Sequence, residues 1–231
     1  MNTEKLRRDY LLPGAIVLAG VLLALTVYAI RTDESPKIGA GDASMVRPVT
    51  PADRIIGNPE APVMIIEYAD IDSMYSKQFQ ATMQQIMSEY AAGGQVAWVY
   101  RHFPLLDQHA GAASHAEAAE CAGFLGDDDA FWRFIDALQG AAPGETEFPV
   151  SGYAGVARGL GLPEAEFMTC LTNGRFTKKV YEDSENALTS GAKGAPYTIV
   201  KISGQEPLAI QGALTYEDMK RVVDESLAKV Q

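Results

Sequence analysis

Apolar and polar positions divide the chain into three stretches. Residues 11–30, LLPGAIVLAGVLLALTVYAI, form an apolar run without a charge. Residues 31–54 are polar, with Gly and Pro and no periodicity, and read as a linker. From residue 55 onward, dense β-rich runs alternate with amphipathic ones. Val63–Tyr68 is apolar enough for a buried strand, and Pro62 opens it. A helix is predicted from about Ser73 to Tyr90, with Tyr75, Phe79, Met83, Ile86 and Met87 at helical spacing and AAGG ending it. VAWVYRHFP is a second strand, stopped by Pro104, and the two strands with their helix make a parallel βαβ unit. Five helices follow. The first is the Ala-rich HAGAASHAEAAECAGFL, and then come DDDAFWRFIDALQG, PVSGYAGVARGLG, PEAEFMTCLTNG and FTKKVYEDSENALTSG. APYTIVKISG and EPLAIQG read as a hairpin joined at SGQE, and TYEDMKRVVDESLAKV closes the chain as a helix capped by Thr215.

The first stretch suggests a membrane. At about 1.5 Å per residue it just crosses a hydrocarbon core of about 30 Å. Lys5, Arg7 and Arg8 precede it and only Arg31 follows closely, so the positive-inside bias puts residues 1–10 in the cytoplasm and the rest outside. The run exceeds the usual signal-peptide core of about 7–15 residues, and YAIRTDES lacks a small-x-small cleavage site. An uncleaved single-pass anchor over residues 11–30 is the favoured reading; a cleaved signal is the alternative.

Composition narrows the function classes. The 231 residues are 47% hydrophobic, ample for a packed core, and the net charge of -11 argues against a nucleic-acid partner. Cys121, Cys170, His102, His109 and His115 show no metal-ligand spacing, so no metal and no cofactor is expected.

The order βαβ, helical block, ββα is that of a thioredoxin fold with a helical insert at about 108–191. The segments GNPEAPVMIIEYAD, VYRHFPLLDQHAGAASHAEAAECA, FWRFIDAL and GAPYTIV sharpen the match. In their order and spacing the chain resembles the DsbA-like thiol-disulfide oxidoreductases, in the bacterial membrane-anchored branch. The resemblance covers most of 55–231 and implies an α/β thioredoxin-like domain there.

That family carries a Cys-x-x-Cys pair where Ser73-Met74-Tyr75-Ser76 stands here. Unpaired N–H groups at the helix start, together with the helix dipole, favour a thiolate at the first position. A serine hydroxyl does not ionise near neutral pH, and without sulfur no disulfide forms. The resemblance further implies that Glu67 occupies a buried proton-relay position. It also implies that Pro196, after Ala195, is cis and borders a peptide groove with Met74 and Tyr75. Buried and exposed readings of Glu67 both stand on the residues alone, with burial favoured by its apolar neighbours. A serine hydrolase would need a base beside Ser73; there is no G-x-S-x-G elbow, and no histidine is expected close to it. The simplest role for Asp72 and Ser73 is helix capping.

The family has members with cysteines at the positions of Cys121 and Cys170, so the resemblance implies a structural bridge; two buried free thiols are the alternative. Functionally, the chain reads as a redox-inactive, membrane-anchored module that binds unfolded or extended polypeptides, with a membrane redox partner as a further expectation. The alternative is an oxidoreductase for disulfide formation or isomerisation whose cysteines were replaced by engineering or recent divergence.

Overall fold

Dense apolar strands in the middle of the domain demand cover on both faces, and the computed structural model supplies it. It describes residues 17–22, 36–39, 42–141 and 148–230. The chain divides into Met1–Ser35 and Pro36–Gln231. In the first unit residues 17–22 are helical. Most of the expected anchor lies outside the described residues, among which no helix is long and apolar enough to cross a membrane.

The second unit is built on a six-stranded mixed sheet. Its strands are β1 (Lys37–Ile38), β2 (Arg54–Gly57), β3 (Val63–Ala69), β4 (Val96–His102), β5 (Tyr197–Ile202) and β6 (Leu208–Gln211), in the order β1-β6-β5-β3-β4-β2. β3 and β4 are parallel, joined through helix α1 (Met74–Tyr90), and every other pairing is antiparallel. Between β4 and β5 the insert contributes α2 (Ala112–Leu125), α3 (Asp128–Ala141), α4 (Tyr153–Gly159), α5 (Glu164–Thr172) and α6 (Thr177–Thr189). Helix α7 (Tyr216–Ala228) follows β6, and Thr215 caps it by accepting from the Asp218 amide, as expected. This is a thioredoxin-like α/β fold with an inserted helical region.

Period-two alternation sends the strand side chains into two separate cores. Ile65, Trp98, Tyr100 and Val200 face α1, α7 and the insert helices, meeting Phe79, Met83, Val223, Phe131 and Phe134. Trp98 and Trp132 pack with ring centroids 4.6 Å apart. On the other face, Ile66, Tyr68, Val99 and Ile199 are covered by Ala187 of α6 and by Ala43 from the chain ahead of β2. Along α1, Phe79, Met83, Ile86 and Met87 are buried as expected; Tyr75 is not, and Ser76 lies inward instead.

The stretch read as a linker departs most from expectation. Residues 42–54 lie on the sheet, and two short edge strands begin within or just after the polar tract. Buried Arg101 on β4 holds this strap. Its guanidinium donates to both carboxylate oxygens of Asp53, to the carbonyls of Arg47 and Pro48, and to the Tyr68 hydroxyl. Arg47 in turn pairs with Asp183 of α6. Much of the strap is exposed, but Asp53 is buried and Arg47 half-buried in an ionic seam against the sheet, which hydropathy alone does not reveal.

A second seam joins the insert to the sheet. Glu120 on α2 meets Arg54 at 2.8 Å, Lys179 at 3.0 Å and His102 at 3.1 Å. Burial would raise the Glu120 pKa, but these three neighbours hold it far below the usual carboxylate range.

Candidate functional site

β3 ends at Ala69, and Asp70–Ser73 turns the chain into α1. Asp70 organises this turn. One carboxylate oxygen accepts from the Asp72 amide at 2.9 Å; the other accepts from the Leu105 amide at 2.9 Å and lies 2.8 Å from His109 Nδ1. The Asp70 amide donates to Ser76 Oγ at 3.2 Å, which fixes the buried serine beneath the turn.

Ser73 is the N-cap. Its backbone is extended and its Oγ accepts from the Ser76 amide at 3.4 Å. The same hydroxyl donates to the carbonyl of Ala195 at 3.5 Å. The Ala195–Pro196 peptide bond is cis. Serines 73 and 76 therefore sit at one helix start, where Ser73 meets Ala195, the residue before the cis proline, and Ser76 lies beneath the turn. Met74 is 52% exposed and Tyr75 45% exposed beside them, while Ala195 is half-buried.

Glu67 lies under this turn on β3 and is fully buried. Trp98 Nε1 donates to its Oε2 at 2.9 Å, and Oε1 has no partner among the described residues. Burial pushes its pKa up to about 8, against the smaller lowering effect of the Trp98 bond. Thr198, directly across on β5, likewise has a buried hydroxyl without a partner among the described residues.

Histidines come nearer than expected. His115 Nδ1 lies 2.7 Å from Asp72 Oδ2 and its Nε2 lies 2.8 Å from the Phe148 carbonyl. Asp72 thus serves a histidine rather than a helix cap. His109 and Asp70 pair in the same turn region. A topological signal for His109 was available: loops that follow parallel neighbouring strands emerge at the same end of the sheet, and His109 is on the loop after β4. Among the described residues, no group of three or more His, Cys, Asp or Glu is arranged to hold a metal ion.

Cys121 on α2 and Cys170 on α5 form a disulfide, with Sγ–Sγ 1.99 Å and Cα–Cα 5.9 Å. The two chain cysteines are thus bonded to each other within the insert, and positions 73 and 76 carry no sulfur.

Comparison with known proteins places this arrangement. The family described as Thioredoxin matches residues 49–225. The chain belongs to that family. The match begins inside the strap that hydropathy had marked as linker. Among curated relatives, a Na(+)/H(+) antiporter NhaA 1 of Salinispora arenicola is 31% identical over 160 residues, covering 69% of this chain and 23% of that protein. The chain thus spans about a quarter of the length of such relatives, 23% for this one and 31% for the NhaA 1 of Mycolicibacterium gilvum. Among solved structures, DsbA2 of Pseudomonas aeruginosa superposes with TM-score 0.64 at 22% identity, covering 77% of this chain and 96% of that one. Oxidised BdbD of Bacillus subtilis gives TM-score 0.67 at 19% identity, with 82% and 98% covered. At these identities the two structures share a fold with this thioredoxin-family chain.

Proposed function

We propose that this protein is a DsbA-like polypeptide-binding module in which Ser73 and Ser76 occupy the dithiol positions, so that thiol exchange does not occur there. One observation carries the reading. Exposed Met74 and Tyr75 flank a helix start whose Ser73 hydroxyl meets the Ala195 carbonyl, at a site without sulfur. An extended polypeptide docks there by hydrogen bonding to backbone near Ala195, with its apolar side chains against Met74 and Tyr75. In this reading Glu67 is the former proton-relay group, now without a thiol to serve.

The module is held at the membrane by residues 11–30, with residues 1–10 cytoplasmic and the thioredoxin-like domain outside. The Salinispora relative is named as a Na(+)/H(+) antiporter, which supports a membrane association without indicating a side. The partners in this reading are unfolded or extended polypeptides, together with a membrane redox partner.

The test is binding of a fluorescent unfolded peptide to the purified protein. Measurable affinity that falls at least fivefold in a Met74→Asp/Tyr75→Asp variant supports the reading. No detectable affinity in the parent protein overturns it.

A second reading keeps the oxidoreductase ancestry in view. A structural neighbour is described as the thiol-disulfide exchange protein α-DsbA2 of Wolbachia pipientis, at TM-score 0.62. If only the sulfur has been lost, Ser73→Cys with Ser76→Cys yields insulin-reducing or thiol-oxidising activity. A folded but inactive double variant would show that the surroundings have diverged as well.

A further inference from the structure

The insert contains a half-open cleft of about 440 Å³ whose lining includes Phe124, Leu125, Ala165, Glu166, Cys170 and Arg175. Both cysteines are buried, but Cys170 lines the cleft and is 6% exposed, whereas Cys121 is 1% exposed and does not line it, so the cleft borders the disulfide on its Cys170 side. Arg175 lies at the same cleft with its guanidinium 3.7 Å from the centroid of Phe124, a ring 47% exposed. Arg47, Arg54, Arg101, Arg133, Arg158 and Arg221 each meet a carboxylate. Arg175 meets none among the described residues, in a chain of net charge -11. A cation stacked on an aromatic face and left without an anion is available to a ligand carboxylate. Glu166, lining the same cleft, offers the complementary charge for an ammonium.

We propose that the Cys121–Cys170 disulfide is this chain's thiol-exchange centre, attacked at Cys170 through this cleft by a small aminothiol that carries a carboxylate. The incoming thiolate sulfur bonds to Cys170 Sγ as the Cys170–Cys121 bond breaks. The electron pair goes to Cys121 Sγ, which takes a proton from solvent. A second thiolate then attacks the ligand sulfur of the mixed disulfide, releasing the oxidised aminothiol and the reduced Cys170 sulfur. The reaction unties α2 from α5 and is independent of the groove beside Ser73.

The experiment uses the full chain, folded by circular dichroism, in low salt with free L-cysteine or with uncharged 2-mercaptoethanol as probe. Acid quenching, alkylation and peptide mass spectrometry follow. The expected product is a cysteine adduct on Cys170 with Cys121 alkylated. Arg175→Ala and Glu166→Gln should each slow the L-cysteine reaction about three- to fivefold relative to 2-mercaptoethanol, the effect of one exposed ion pair. An adduct on Cys121 overturns the proposal. So does a reaction that proceeds only in step with unfolding in denaturant, or variants that slow both thiols equally.

Discussion

Trp98 on β4 donates its indole N–H to Glu67 on the neighbouring strand β3, and that bond is the only one the buried carboxyl makes among the described residues. The pair lies beneath the helix start that bears Ser73 and Ser76. A carboxyl with one satisfied and one unsatisfied oxygen in an apolar core favours its protonated form. The consequence is a pH-dependent fold.

In the unfolded chain Glu67 titrates near its ordinary value of 4.5; in the folded protein it holds its proton to about 8. Between these values the folded state binds more protons than the unfolded state, so stability falls as pH rises and levels off above about 8. The full shift corresponds to roughly 2–5 kcal/mol. Urea titrations at pH 5 and pH 8.5 should show this loss in the parent protein. Glu67→Gln, which keeps an acceptor for Trp98 and has no charge to bury, should flatten the profile. An unchanged slope in that variant would exclude Glu67 as the source.

The insert disulfide joins residues 49 apart in sequence. Closing a loop of that length lowers the entropy of the unfolded chain by an amount worth about 4 kcal/mol. Cys121→Ala with Cys170→Ala should lower the unfolding free energy by up to that amount, read as a shift in denaturant midpoint. The groove residues lie on other elements, so peptide affinity at Met74 and Tyr75 is expected to change less than twofold in the same variant.

The inner part of the domain was legible because its apolar pattern and its packing agree. Val63–Ala69 and Val96–His102 are buried along their whole length except Met64, and the predicted strands fall on them within two residues. The helix from Met74 was marked by the same residue, Ser73, that caps it. The strap was illegible because its contacts are polar and distant. Arg101 reaches Asp53, 48 positions away, and Arg47 reaches Asp183 across 136. No local period encodes such pairs.

The candidate site was legible in its outline for a different reason. Ser73, Ser76, Glu67 and Pro196 were singled out through resemblance to a family whose reactive pair stands at the first two positions; the structure brings Ser73 against Ala195 and buries Glu67, and no spacing rule applied to this chain alone would have joined them. The carboxylate–imidazole pairs at Asp70–His109 and Asp72–His115 went unseen because each joins the turn to a distant segment. Asp70 and Asp72 look like ordinary turn acids until the topology brings the β4 loop and α2 against them.

The strap provides the last prediction. Arg101 is fully buried and bound to Asp53, and burial that would lower its pKa is outweighed by the hydrogen bond to Asp53 and the charge of its carboxylate. Arg101→Met removes the cation and leaves Asp53 buried without its principal partner. Breaking a buried pair from one side costs about 3–5 kcal/mol. The Arg47 and Pro48 carbonyls lose their donor at the same time, so the strap should detach before the sheet unfolds. Limited proteolysis should then cleave within residues 42–53 in the variant at least tenfold faster than in the parent, while β3 and β4 amides keep their protection in hydrogen exchange. Arg101→Met combined with Asp53→Leu removes the unpaired charge and should recover part of the lost stability. Equal proteolysis rates in parent and single variant would mean that apolar contacts at Ala43, rather than the ionic seam, hold the strap to the sheet.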